Sequence, residues 1–381
     1  MKLIKPSFYE LDKDVELDYK KKIERCTRIA YKSEDKMENM LFNVDTQNQM
    51  NDKEKEEAEK RKKEIEIDSK RITFLSSVIN RGHTSVLEHY RVCFKITGDF
   101  INDFIEFEER PAPSFFKKNK TIKVANKTKF IEHPHIRFNY DYKEEAVYLS
   151  GNLRAFYDLH YHGDDSKRKS MQYIMSHLGR HYSIFFTHQT NFLSDDIEEI
   201  DPFTIPNLEI RSYHTYKTMI FVTNRGVSHE SVRHRVASFS QESTRYCSYD
   251  KDKFGNEITF IDPTTTLDSI FKNDKKYGTL DYMKQNIPEI IDTINMIYGD
   301  IEKAYMHLKS LGCPPDVARN VLPIGVKTEF AITQTMHWWR EFFKLRTTKH
   351  VHPDMLYLSR PLLGHFKEKY PELFNDISYG D

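Results

Sequence analysis

Glycine is scarce here and widely spread. The chain has 381 residues and 13 glycines, and the two nearest to each other, Gly151 and Gly163, stand twelve positions apart. Loops that cradle phosphates with their backbone need glycines two, three or five residues apart, because the chain must bend tightly and come close to the ligand. Neither GxGxxG nor GxxxxGK can therefore be written anywhere in this sequence. A nucleotide, if one is bound, must be held by side chains and helix ends.

Charge narrows the choice further. The 58 basic and 58 acidic residues cancel to a net charge of +0, which removes the overall basic field expected of a duplex-binding protein. Any anion site is a local cluster, and no nucleic-acid partner is expected. Hydrophobic residues make up 38%, with 26 Phe and 22 Tyr, enough for a packed core. No apolar run approaches the ~18 residues of a membrane span, and MKLIKPSFYELDKDVELDYKKK does not read as a signal peptide. The expectation is a cytoplasmic protein without a membrane partner. Cys26, Cys93, Cys247 and Cys313 form no CxxC pair, which fits reduced thiols better than disulfides or a structural zinc.

Residues 51–71 interleave acids and bases, with Glu56/Lys60, Glu57/Arg61 and Glu59/Lys63 four apart, as on a solvated helix. A helical ITFLSSVIN follows and stops at Gly82, and YRVCFKI alternates like a half-buried strand. Residues 100–214 change texture, with helices expected over 151–160 and 166–181. KTMIFVT resumes a strand, and Asn224-Arg225-Gly226 opens a helix expected to run through VSHESVRHRVA. The hydroxyl-rich SFSQESTRYCSY reads as a loop and ITFI as a short strand. An amphipathic helix over 279–311 ends at Gly312, Pro314-Pro315 starts another, and VKTEFAIT, a Trp-Phe helix and a last helix after Pro353 complete the chain. No internal repeat is evident.

The densest chemistry is Arg233-His234-Arg235, followed by Ser238, Ser240, Gln241, Glu242, Ser243, Thr244 and Arg245. Arg binds phosphates and carbonyls through a planar fork of donors that stays charged. On a helix, neighbouring residues point ~100° apart, so Arg233 and Arg235 would hold two different anionic groups. The plain alternative is a surface helix paired to carboxylates. HESVRH resembles the zinc motif HExxH, but His229 and His234 are five apart and on a helix would diverge, so no metal is expected. Ser243 lacks a nucleophile elbow, and Cys247 has no evident base.

Arg233-His234-Arg235, seven residues, then Ser243 resembles the signature of the flavin-dependent thymidylate synthases. RCTRIAYKSED, RGHTSVLEHYRVCFKIT, PPDVARNVLP and TEFAITQTMHWWREFFKLRTTKHVHPDM are similar to further segments of that family, in the same order. The resemblance implies an α/β fold of α+β type, with a central, mainly antiparallel sheet flanked by helices, and inserted segments. The domains would be 1–99, with a charged helical insertion at about 36–70, an inserted subdomain at 100–214, and 215–381. It implies reductive methylation of dUMP to dTMP, with FAD bound, NADPH and methylenetetrahydrofolate as co-substrates, and a homotetramer with shared active sites. By motif match, dUMP would meet Glu230, Ser231, Val232, Arg233, Gln241, Glu242, Ser243, Thr244, Arg245, Arg319 and Arg346, with Arg346 catalytic. FAD would meet Ser85, Glu88, Arg233, His234, Arg235, Gln241, Thr335, His337 and Glu341. Thr335-Met336-His337 stands where members usually carry Asn-Leu-Arg, and Glu341 where His or Asn is usual. A zinc hydrolase and a single-strand RNA or nucleotide-binding module are the rival readings.

Overall fold

A computed structural model describes residues 1–11, 18–32, 53–111, 121–128, 135–162, 169–187, 192–271 and 280–379. Part of the charged insertion, 36–52, lies outside them. The chain divides into two compact units, residues 1–71 with 217–381 and residues 72–216. The division falls inside one long helix, Lys53–Asn80, which continues from the charged run into ITFLSSVIN and is followed by Gly82 at φ +82°.

The first unit is built on a four-stranded sheet in the order Ser238–Gln241, Lys327–Thr335, Tyr216–Asn224, Ser7–Glu10. The two outer pairings are antiparallel. Lys327–Thr335 is buried at nearly every position, so it carries the apolar and hydroxyl residues suited to a sheet covered on both faces. The rings of Phe221 and Phe330 stack at 5.3 Å across it. Leu11, Cys26, Ile29, Ile220 and Ala331 form a core against helix Tyr19–Tyr31. Asp18 starts that helix by accepting from the Lys20 and Lys21 N–H groups, satisfying donors the first turn leaves open. Helices Met336–Arg346 and Pro353–Lys369 pack through Trp339, Phe342, Phe343 and Phe366. Trp339 is fully buried and donates to the Lys217 carbonyl at 3.2 Å, giving its indole N–H the partner a buried one needs.

The second unit holds an antiparallel sheet in the order Ile136–Asp141, Ala146–Asn152, Arg91–Ile96, Ile197–Glu199. Arg91–Ile96, which the sequence grouped with the N-terminal part, pairs along its whole length with Ala146–Asn152 and so belongs to this unit. Helices Leu153–His162 and Lys169–His181 follow, close to the expected spans. Mixed helices and mainly antiparallel sheets make an α/β protein of the expected type.

Two expectations need correction. The helix opened by Asn224 is only Arg225–Ser231. Inside it the Ser228 and Ser231 hydroxyls bond back to the Arg225 and Val227 carbonyls, competition that weakens a helix. The His234 N–H then closes onto Ser231 at 3.1 Å, so Arg233-His234-Arg235 lies in a turn and the helix-angle argument does not apply. The hydroxyl-rich stretch is also not all loop: Ser238–Gln241 is a strand paired to Phe330–Thr333.

Candidate active site

The candidate site lies in the first unit, where the turn 232–237 meets the end of helix Met336–Arg346. Asn224 sets the position of this turn. Its side chain accepts from the Val227 N–H at 3.0 Å and donates to Asp354 at the start of helix Pro353–Lys369. Asp354 also accepts from Thr266. A helix cap is thereby fixed by a second helix.

Arg346 is the best-anchored cation of the site. Its Nε donates to His234 Nε2 at 3.0 Å, Nη2 to the Glu230 carbonyl at 3.0 Å, and Nη1 faces the Glu230 carboxylate at 3.4 Å. Burial and nearby Arg233 lower its proton affinity, with Glu230 opposing, yet a guanidinium remains charged at neutral pH. These contacts use three of its five donors. His234 packs on Phe342 at 4.9 Å, and burial with Arg346 beside it pushes its pKa down to about 4. It is therefore neutral, with Nε2 as acceptor and the proton on Nδ1.

Gln241 points its amide at two hydroxyls, donating to Ser228 and Thr328 at 3.0 Å each. Glu242 turns the other way. Its carboxylate is buried against Lys327 at 2.7 Å and accepts from the Tyr249 hydroxyl at 3.4 Å. Ser231, buried, spends its hydroxyl inside its own helix, while Val232 is exposed. The Ser243 N–H is held by the Ala30 carbonyl and its hydroxyl accepts from the Arg245 N–H, while Thr244 is buried. Arg233, Arg235, Arg245 and Arg319 are exposed. Burial raises the Cys247 thiol to about 12, which leaves it unreactive.

The hydroxyl of Thr335 is buried without a partner at the N-terminus of helix Met336–Arg346, and the amide nitrogen of Gln334 is likewise unpartnered. His337 stands one position inside that helix, its ring against Trp338. Glu341 binds Lys344 at 2.7 Å, and that hydrogen bond holds its carboxyl below the ordinary range. Ser85 and Glu88 belong to the second unit, where Glu88 accepts from Arg154 at 2.6 Å. No group of three His, Cys, Asp or Glu suited to a metal occurs among the described residues. The sequence reading missed Lys327, Ser228, Thr328 and Phe342, which orient residues it did select. Alternation along Lys327–Thr335, with Thr328 on the face of Phe330, was the available signal.

Residues 212–372 match the model of the family described as thymidylate synthase complementing protein. That segment contains every contact of Arg346, His234 and Gln241 described above. The chain is also similar to curated proteins named flavin-dependent thymidylate synthase. Relatives of that name include proteins of Corynebacterium diphtheriae, 26% identical over 173 residues, Sulfolobus acidocaldarius, 28% over 189, and Thermosipho melanesiensis, 30% over 164. These alignments take in 45%, 49% and 42% of this chain and 65%, 64% and 65% of the relatives. The chain thus spans less than two thirds of the length of these relatives. Much of the second unit, in turn, lies outside the family segment.

Proposed function

We propose that the protein is a flavin-dependent thymidylate synthase that converts dUMP to dTMP, with methylenetetrahydrofolate as carbon donor, FAD as bound cofactor and NADPH as reductant. The observation that carries this reading is Arg346, a guanidinium fixed from two sides by His234 and Glu230 with donors to spare. Uracil C5 is a weak nucleophile. A preorganised positive charge beside the ring stabilises its electron-rich form, and a charge already held in place costs no reorganisation when the reaction occurs. Neutral His234 serves this role because, as an acceptor, it fixes the guanidinium plane without adding a second charge.

The exposed Arg233, Arg235, Arg245 and Arg319 are suited to the phosphate and carbonyl groups of dUMP and FAD. The backbone of Gln241–Arg245 and the hydroxyls of Ser243 and Thr244 would complete the dUMP loop, with Glu230, Ser231 and Val232 opposite. Glu242 takes part through its main chain, since Lys327 occupies its carboxylate. The orphaned Thr335 hydroxyl and Gln334 amide fit an acceptor-rich dinucleotide, and Lys344 neutralises the Glu341 carboxylate that would otherwise repel an anionic cofactor. FAD when bound supplies the redox chemistry. Ser85 and Glu88 are assigned to FAD by motif match, as is the homotetrameric assembly with shared sites.

The test is dUMP-dependent oxidation of NADPH-reduced flavin in the purified protein. Arg346→Ala is expected to retain FAD and lose this activity by about 10²-fold or more, the size of effect seen when one preorganised donor is removed. Full activity in that variant would remove the catalytic role.

A further inference from the structure

Arg91 and Asn152 are direct cross-strand partners in the antiparallel sheet of the second unit. Residues paired in this way project from the same face, with side chains in reach of each other. Both carry donors that nothing satisfies. Asn152 is 1% exposed, and its Oδ1 is committed to the Ala155 N–H at 2.8 Å, while its Nδ2 has no hydrogen-bond partner. Arg91 as a whole is partly exposed, but its Nε is buried and unpartnered, and among the described residues the side chain forms no ion pair.

The neighbourhood does not compensate the charge. The groups that act on Arg91 electrostatically are the Tyr216 phenol and the Cys93 thiol, neither of them a carboxylate. Burial lowers the guanidinium only to about 10, so it remains a cation. Glu88 is bound to Arg154 at 2.6 Å, and Glu199 to His177 and Tyr182 at 2.5 Å each. A buried donor left without an acceptor is unfavourable, and here two of them, Arg91 Nε and Asn152 Nδ2, stand on facing strands. Asn152 also stands at the start of the ten-residue helix Leu153–His162, whose N-terminal end favours negative charge. A guanidinium and an amide N–H₂ are both donors, while at the helix start the Leu153 and Ala155 N–H groups are already taken by the Tyr90 carbonyl and the Asn152 side chain. A metal ion would be repelled, and a neutral carbonyl would leave the charge uncancelled.

We propose that Arg91 and Asn152 form a binding site for an oxyanion, a phosphate or carboxylate group, at the start of helix Leu153–His162. The Arg fork and the Asn amide would donate to its oxygens in the geometry such groups favour. Arg91 and Asn152 lie outside residues 212–372, the segment that matches the family model, although Arg91 falls in RGHTSVLEHYRVCFKIT; the unfolding test below does not use thymidylate synthase activity, so its failure and the failure of that reading are distinguishable.

The experiment is thermal unfolding of the full chain in sodium phosphate, in sodium acetate and in sodium chloride of matched ionic strength. Wild type should gain about 2–4 °C in Tm in phosphate or acetate over chloride, the stabilisation expected of an anion that binds only the folded state. A gain in phosphate alone assigns a phosphoryl ligand, and in acetate alone a carboxylate. Arg91→Met should lose the gain without losing stability in chloride, because it removes a buried donor that has no acceptor. Asn152→Asp keeps the cap oxygen and gives Arg91 an internal carboxylate, so its Tm in chloride should equal or exceed wild type and respond to neither anion. If Asn152→Asp does not fold, Arg91→Met alone decides. An anion gain equal in wild type and Arg91→Met, no gain in wild type, or a Tm in chloride more than about 5 °C lower in Arg91→Met, would each overturn the proposal.

Discussion

Arg346 and His234 illustrate how a single residue gains its chemistry from its neighbours. A neutral histidine accepting from a guanidinium exists only because burial and the adjacent cation keep its proton affinity low. A stability consequence follows. The unfolded chain binds a proton at His234 near the ordinary pKa of about 6.5, the folded chain only near 4, so stability is lost as pH falls between these values. Buried His214, lowered to about 3 by desolvation and held by Ser150 and Asn139, acts with the same sign. Tm should therefore decline below pH 6.5, before carboxylates titrate, and His234→Gln should flatten that decline. A Tm that is constant from pH 6.5 to 5 would contradict the neutral assignment. Glu242 offers a second residue-scale test. Lys327→Met strands its buried carboxylate and should cost about 3–5 kcal/mol in denaturant unfolding, whereas a substrate-contacting role of the carboxylate would appear as a raised KM for dUMP in Glu242→Gln.

At the scale of elements, the site depends on where helix Arg225–Ser231 begins and ends. Asn224→Ala removes its cap and one partner of Asp354, and should destabilise by about 1–3 kcal/mol in chemical denaturation. Asn224→Asp keeps the cap oxygen but sets two carboxylates together and should be worse; a variant as stable as wild type would show the cap to be unimportant. The start of this helix was legible from Asn224-Arg225-Gly226, its end was not. Apolar spacing continues through VRHRVA, but the stop is made by serine hydroxyls bonding to carbonyls one turn back, which hydrophobic periodicity does not register. The strand Ser238–Gln241 was hidden for a related reason, since Ser and Gln carry weak strand signals and its pairing with Phe330–Thr333 bridges about 90 residues of sequence. The strand Arg91–Ile96 after Gly82 fell where expected, and the helix ended by Gly312 at φ +85° has the expected end, but its span is split into Leu280–Gln285 and Ile287–Ser310 at Asn286.

For the molecule as a whole, the sparse glycines exclude backbone phosphate cradles and leave side chains as the candidate binding groups. The exposed Arg233 and Arg235 of the turn 232–237 are such groups. The Arg-His-Arg signature singled out candidate site residues, but not which of them face inward: Glu242, Ser231 and Thr244 could be separated from Gln241 and Arg233 only by burial and partners. Subunit sharing belongs to this scale too. Light scattering after size-exclusion chromatography should give about four times the 45.4 kDa chain mass, and a monomer that turns over dUMP would show each site complete within one chain. The most direct measurement remains product formation. Purified protein supplied with FAD, NADPH, methylenetetrahydrofolate and dUMP should yield dTMP, identified by its mass, and yield none when dUMP or the folate is left out; flavin-loaded protein that consumes NADPH but forms no dTMP would contradict the proposed function.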